Sequence, residues 1–170
     1  MNENNTVITI YILVFVVVIV VAISLTLYRN HKNIKERALD HFVNIFLVGI
    51  AFQCLHFTEE FITRLYELLP QLLGLQVWSK EFFVTFNLSW IFIWILSAVG
   101  IKNNFRAAFI PTWFFAIMMT ANGIIHPLLA VAVGGYFPGL ITSPIVGILG
   151  ILILNRLLKM TKQETGQPTH

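Results

Sequence analysis

The stretch VITIYILVFVVVIVVAISLTL, residues 7–27, contains no charge, no glycine and no proline. A helix rises 1.5 Å per residue and the hydrocarbon core of a bilayer is about 30 Å thick, so a run of this length crosses it. In lipid the backbone must satisfy its own polar groups, which makes such a run a helix in spite of its many valines and isoleucines. It is longer than the apolar region of a signal peptide, and the six residues before it carry no Lys or Arg. We therefore read it as a retained span and not a cleaved leader.

Four further apolar runs follow, at about 42–60, 82–99, 107–133 and 140–158. The expected fold is an all-α polytopic membrane bundle of five transmembrane helices. Composition agrees: of 170 residues, 57% are hydrophobic and 11% charged, against about 25% charged in soluble domains. Such a chain cannot solvate a water-soluble enzyme or present a basic nucleic-acid surface. The single Cys54 excludes an internal disulfide and a cysteine-built metal cage.

Basic residues set the expected orientation. Arg29, Lys32, Lys35 and Arg37 follow the first run, Lys102 and Arg106 the third, and Arg156, Lys159 and Lys162 the fifth, which puts nine on one side. Only Arg64 and Lys80 fall on the other. The N-terminus is therefore expected outside and the C-terminus in the cytoplasm. Three parts are expected: the first helix with its basic loop, 1–38; a four-helix domain, 39–160; and a polar tail, 161–170, whose His170 reads as solvated. Residues 70–80, semi-apolar with Trp78 among them, read as an interfacial segment.

Ionisable groups inside a span are costly and point to function by default. The second run ends in His56-Phe57-Thr58-Glu59-Glu60. At 100° per residue, Glu60 lies about 40° from His56 and Glu59 about 60° to the other side. Gln53, Thr63 and Glu67 extend the same polar stripe, which is expected to face the bundle. The fourth run carries Asn122 and His126, four apart and so on one face. Pro127 follows, where a kink is expected, and then the turn 134–139, Gly-Gly-Tyr-Phe-Pro-Gly, leads to Thr142.

Depth unites these residues. His56 stands 16 residues above Asp40, about 24 Å up its helix. Asn122 and His126 lie about 22–28 Å above the start of the fourth run, and Asn87 about 7 Å below the outer edge. His56, Glu59, Glu60, Asn87, Asn122, His126, Tyr136 and Thr142 are thus expected to meet in the outer third of the membrane. Singly, each has a plainer reading. The glutamates would mark the exit of a short span, His126 a packed histidine, Asn122 a bridge between helices, Tyr136 an interfacial aromatic. Shared depth, face and residue type are what argue for a site.

Three motifs, H-x-x-E-E at His56 to Glu60, N-x-x-x-H at Asn122 to His126 and Y-x-P-G-x-x-T at Tyr136 to Thr142, resemble those of the HXXEE family of bacterial membrane proteins. The resemblance spans the second to fifth runs and implies a shared site on a helical membrane scaffold, in a bacterial cytoplasmic membrane. It brings no assigned reaction. The residues themselves suggest a divalent metal, zinc or non-haem iron, held by His56 and His126 with Glu59 or Glu60. The other glutamate would act as general base on a metal-bound water. Asn122, Asn87 or Thr142 would orient a ligand or hold a carbonyl oxygen, with Gln53 and Tyr136 in support. The expected reaction is hydrolysis of a lipid or other amphipathic substrate, without a nucleotide cofactor or nucleic acid. Two alternatives stay open: metal-free His/Glu acid–base isomerisation of a lipid, and a non-enzymatic lipid or metal binder. The sequence leaves the oligomeric state open.

Overall fold

A computed structural model of the chain describes residues 3–31 and 34–162. Lys32 and the tail with His170 lie outside them. Among the described residues the structure is all-helical. Six α-helices follow in order: α1 Glu3–Tyr28, α2 Glu36–Ile62, α3 Leu65–Leu72, α4 Lys80–Lys102, α5 Phe109–Val133 and α6 Ser143–Met160, with a 3-10 turn at Arg106–Ala108 before α5. Four of these, α2, α4, α5 with its leading turn, and α6, are long and apolar enough to cross a membrane, and α1 adds the apolar stretch Ile12–Tyr28. The five expected spans are therefore present. The protein is an integral membrane protein by the length and apolarity of these helices.

Element boundaries differ from the expectation where the backbone turns. α2 ends at Ile62 because Arg64 takes a left-handed conformation, φ 62°. The stripe of α2 therefore does not reach Glu67, which belongs to α3 and pairs with Arg64 at 3.7 Å. The segment expected at 70–80 is helical as far as Leu72, in α3, and non-helical from Leu73 to Ser79. Pro127 lies inside α5 without ending it. The fifth span begins at Ser143 and not at Leu140, with Thr142 as its N-cap residue.

The core is aromatic. Phe46 of α2 meets Phe115 of α5 at 5.2 Å, and Phe115 meets Trp94 of α4 at 4.9 Å. Trp90 stacks on Phe114 at 4.4 Å, and Phe114 meets Phe15 of α1 at 5.3 Å. Ring-to-ring contacts of this kind hold four helices together where no water-driven force between helices exists.

The closest approach is between α5 and α6, which touch more extensively than any other pair. A Cβ at Gly123 would stand 2.5 Å from the Cα of Gly147, and a Cβ at Gly150 2.6 Å from the backbone N of Thr120. The two backbones are thus in contact, the arrangement that small residues permit in membrane helices.

One end of the bundle is closed by basic side chains. Arg106 donates from Nη2 to the carbonyls of Thr26 and Leu27 at 3.0 and 2.6 Å, covering the open C-terminus of α1. Arg29 does the same for α6, through Leu158 O at 2.5 Å and Thr161 Oγ1 at 2.7 Å. Lys102 pairs with Asp40 at 3.8 Å. Cations there also complement the negative ends of the helix dipoles. His31 is buried beside them, its ring 4.3 Å from Phe109 and its Nδ1 2.8 Å from Arg29 O. Burial, and then the charges of Arg106 and Arg29, hold its pKa below the ordinary 6.5.

Two predictions follow from this packing. Gly147→Ala is expected to cost about 2 kcal/mol by forcing α5 and α6 apart. Gly135→Ala, with open space around it, is expected to stay within about 0.5 kcal/mol of the parent, both read from thermal unfolding in detergent. For His31, the unfolded chain takes up a proton before the folded one does. Folded stability is therefore complete above the ordinary 6.5 and declines as pH falls below it. His31→Gln is expected to flatten that decline below the ordinary 6.5; an unchanged slope would assign the decline to another group.

Candidate metal centre

At the end of the bundle opposite Arg29 and Arg106, α2 and α5 bring three donors together. The spacing of four along α2 sets His56 and Glu60 on one face, and α5 supplies His126. All three are buried, His56 fully. Both imidazole Nε2 atoms stand 3.3 Å from the same carboxylate oxygen, Glu60 Oε1. The rings are 4.9 Å apart and nearly perpendicular, at 86°. The three donor atoms lie within 4.8 Å of one another and could hold a metal ion.

The far side of each ring fixes which nitrogen carries hydrogen. His126 Nδ1 is 2.6 Å from the carbonyl oxygen of Pro138. A carbonyl only accepts, so His126 donates from Nδ1, and the neutral ring then offers the lone pair of Nε2 to the cluster. His56 Nδ1 is 2.7 Å from Thr142 Oγ1. That hydroxyl donates its own hydrogen to Glu59 Oε2 at 2.5 Å, so it accepts from His56 Nδ1, and in the neutral ring Nε2 likewise faces inward as a lone pair.

With both rings neutral, two lone pairs and a carboxylate oxygen converge. His56 Nε2 is buried and makes no hydrogen bond; the 3.3 Å approach to Glu60 is within ion-pair reach but outside hydrogen-bond geometry. Two ligands held at about 2.0–2.1 Å on a tetrahedral centre stand about 3.3–3.4 Å apart. The two histidine-to-Glu60 spacings of 3.3 Å match that value, so two nitrogens and one oxygen stand where they could hold a metal ion. Each histidine is oriented by a hydrogen bond on its other nitrogen, the usual arrangement for metal-ligating imidazoles.

Glu59, expected as a second ligand or base, is turned elsewhere. Its Oε1 accepts from Tyr136 OH at 2.6 Å and Ile141 N at 2.9 Å; its Oε2 accepts from Thr142 N at 2.8 Å as well as from the Thr142 hydroxyl. Four hydrogen bonds use the full acceptor capacity of a carboxylate. The group also lies at the N-terminus of α6, where the helix dipole favours a negative charge. One residue of helix rotation separates it from Glu60, so the two glutamates of the motif face different elements.

Of the other expected site residues, Tyr136 and Thr142 join the cluster through Glu59. Gln53 is buried on the His56 side of α2, with its Oε1 unpartnered. Asn87 does not join: its amide donates to Phe83 O of its own helix at 2.9 Å, because a carbonyl one turn back is the nearest acceptor in a span. Asn122 is half-buried one turn before His126 and takes part in none of these hydrogen bonds. Two contributors were not legible as such: the Pro138 carbonyl and Gly139. A Cβ on Gly139 would lie 2.6 Å from His126 Nδ1 and 2.9 Å from His56 Cε1, and its φ is +85°. Only a residue without a side chain lets the loop close over both rings. The Pro-Gly pair at 138–139 was the available signal. Gly139→Ala is accordingly expected to lower the affinity of the three donors for a divalent metal about 10–100-fold while leaving the helical circular-dichroism signal intact.

The family model described as "Protein of unknown function with HXXEE motif" matches residues 46–153, a stretch that contains all three donors and the whole 134–142 loop. No curated protein and no solved structure matches the chain. The match covers more than half of the sequence and includes each residue of the cluster: the chain belongs to the HXXEE family.

Proposed function

We propose that this protein is a membrane-embedded, metal-dependent hydrolase acting on a lipid or other amphipathic substrate. The observation that carries the reading is the convergence of His56 Nε2, His126 Nε2 and Glu60 Oε1, with both histidines held in the tautomer that metal binding needs. Two histidines and one carboxylate leave a coordination position open, the pattern of catalytic rather than structural zinc. A divalent ion there would polarise a carbonyl oxygen and acidify a water to near neutrality. His56, His126 and Glu60 would hold it. Thr142 has its hydroxyl engaged between Glu59 and His56, so it orients a ligand and is not free to hold substrate. Asn122 is the remaining amide at this level of α5 for that task. Iron in place of zinc would direct the site to oxygen chemistry instead.

The basic end of the bundle supports a cytoplasmic C-terminus by the positive-inside rule. The cluster then lies toward the outer leaflet of a bacterial cytoplasmic membrane, and a lipid is the substrate that reaches it sideways. A second reading rests on Glu60 Oε1 touching both imidazoles at once. The same three groups could pass a proton to and from an apolar double bond without metal, as a buried carboxyl held beside histidines does in acid–base catalysis.

Elemental analysis by plasma mass spectrometry on purified protein decides between them. About one zinc per chain is expected in the parent, and none in His56→Ala, His126→Ala or Glu60→Gln. Release of fatty acid or headgroup from membrane lipids should disappear in the same variants and on chelation. Folded parent protein that takes up no metal even after loading would overturn the hydrolase reading and favour proton transfer.

A further inference from the structure

The family motif ends in two adjacent glutamates, and only one of them faces the donors. We infer that Glu59 is a positioning residue for His56, acting through the hydroxyl of Thr142, so that the paired glutamates divide into a ligand and an orienter. The inference rests on the metal reading for its purpose, but its geometry stands on three connected atoms. Glu59 Oε2 accepts the Thr142 hydroxyl hydrogen, and Thr142 Oγ1 then has only lone pairs to offer the ring, at 2.7 Å from His56 Nδ1. A hydroxyl has one hydrogen. Were it given to His56 instead, the Thr142 oxygen and the Glu59 carboxylate would face each other with no hydrogen between them. The carboxylate therefore dictates the direction of the hydroxyl, and the hydroxyl dictates the tautomer of the histidine.

The remaining acceptor sites of Glu59 keep the relay in place. Tyr136 OH and the backbone N–H groups of Ile141 and Thr142 tie the carboxylate to the loop and to the start of α6. Gln at this position keeps one oxygen but turns an N–H₂ toward backbone donors, which cannot reverse. His126 depends on no side chain for the same purpose, since a backbone carbonyl orients it. The two histidines thus differ in what orients them, and this difference makes the relay testable inside one molecule.

The test is ¹⁵N NMR of histidine-labelled protein without metal, at alkaline pH, together with zinc affinity by chelator competition. In the parent, His56 and His126 are both expected as Nδ1–H tautomers; His56 found as Nε2–H would overturn the inference without any variant. Thr142→Val and Glu59→Gln are expected to shift His56 toward a mixture or to Nε2–H, to leave His126 unchanged, and to weaken zinc binding about 10–100-fold. Thr142→Ser keeps the hydroxyl and is expected to restore both signals. His56 unmoved in Thr142→Val and Glu59→Gln would overturn the relay, as would equal shifts in both histidines, which would reduce Glu59 to a fastener of the loop. A tautomer shift in a protein whose parent takes up no zinc would uphold the positioning of His56 and remove the metal reading alone.

Discussion

Two carboxylates next to each other near the end of a membrane helix must each find compensation inside the protein, because lipid supplies none. Helical geometry prevents them from sharing one. Glu60 turns to His126 of α5 beside His56 of its own helix, a set that could hold a metal ion, and Glu59 turns to the N-terminus of α6, where four donors fill its acceptor sites. The second solution needs the 134–142 loop to lie against α2, and the first needs α5 at the same height. Compensation of this pair is therefore the constraint that this end of the bundle is built around.

Close packing of the helices brings these elements to one place. Gly123 against Gly147 lets α5 and α6 touch backbone to backbone, which carries His126 and Thr142 to the same place from two helices. Aromatic contacts from Phe46 through Phe115 to Trp94 hold α2 in register with α5 and α4. At the far end, Arg29 and Arg106 cover the C-terminal carbonyls of α6 and α1. Helix-borne donors are held more firmly than loop-borne ones, and here the loop supplies only the outer hydrogen bonds, through Pro138 and Thr142.

Much of this was legible in residue spacing. His56 and Glu60 four apart, His126 at matching depth on another run, and Thr142 just beyond a Pro-Gly turn all lie where counting along helices puts them. The failures have physical reasons. Asn87 was placed by depth alone, and depth does not say which way a side chain turns; its amide bonds to its own helix. Glu67 was counted on the polar stripe because nothing in the residues announced the left-handed Arg64 that ends α2. Glu59 was grouped with Glu60 because both are carboxylates, and chemistry alone cannot separate two ligand candidates one residue apart.

The sequence by itself determined the membrane, the number of spans, the basic end and the level at which polar residues gather. These follow from hydropathy and from a rise of 1.5 Å per residue, which are properties of single helices. Only the tertiary structure decided which glutamate faces the histidines, which nitrogen of each ring carries hydrogen, and why residue 139 is glycine. Each of those depends on the rotation of one helix about its axis relative to another, and on a loop closing over two rings. Rotation and closure are set by backbone contacts between segments far apart in the chain, and no local pattern of residues records them.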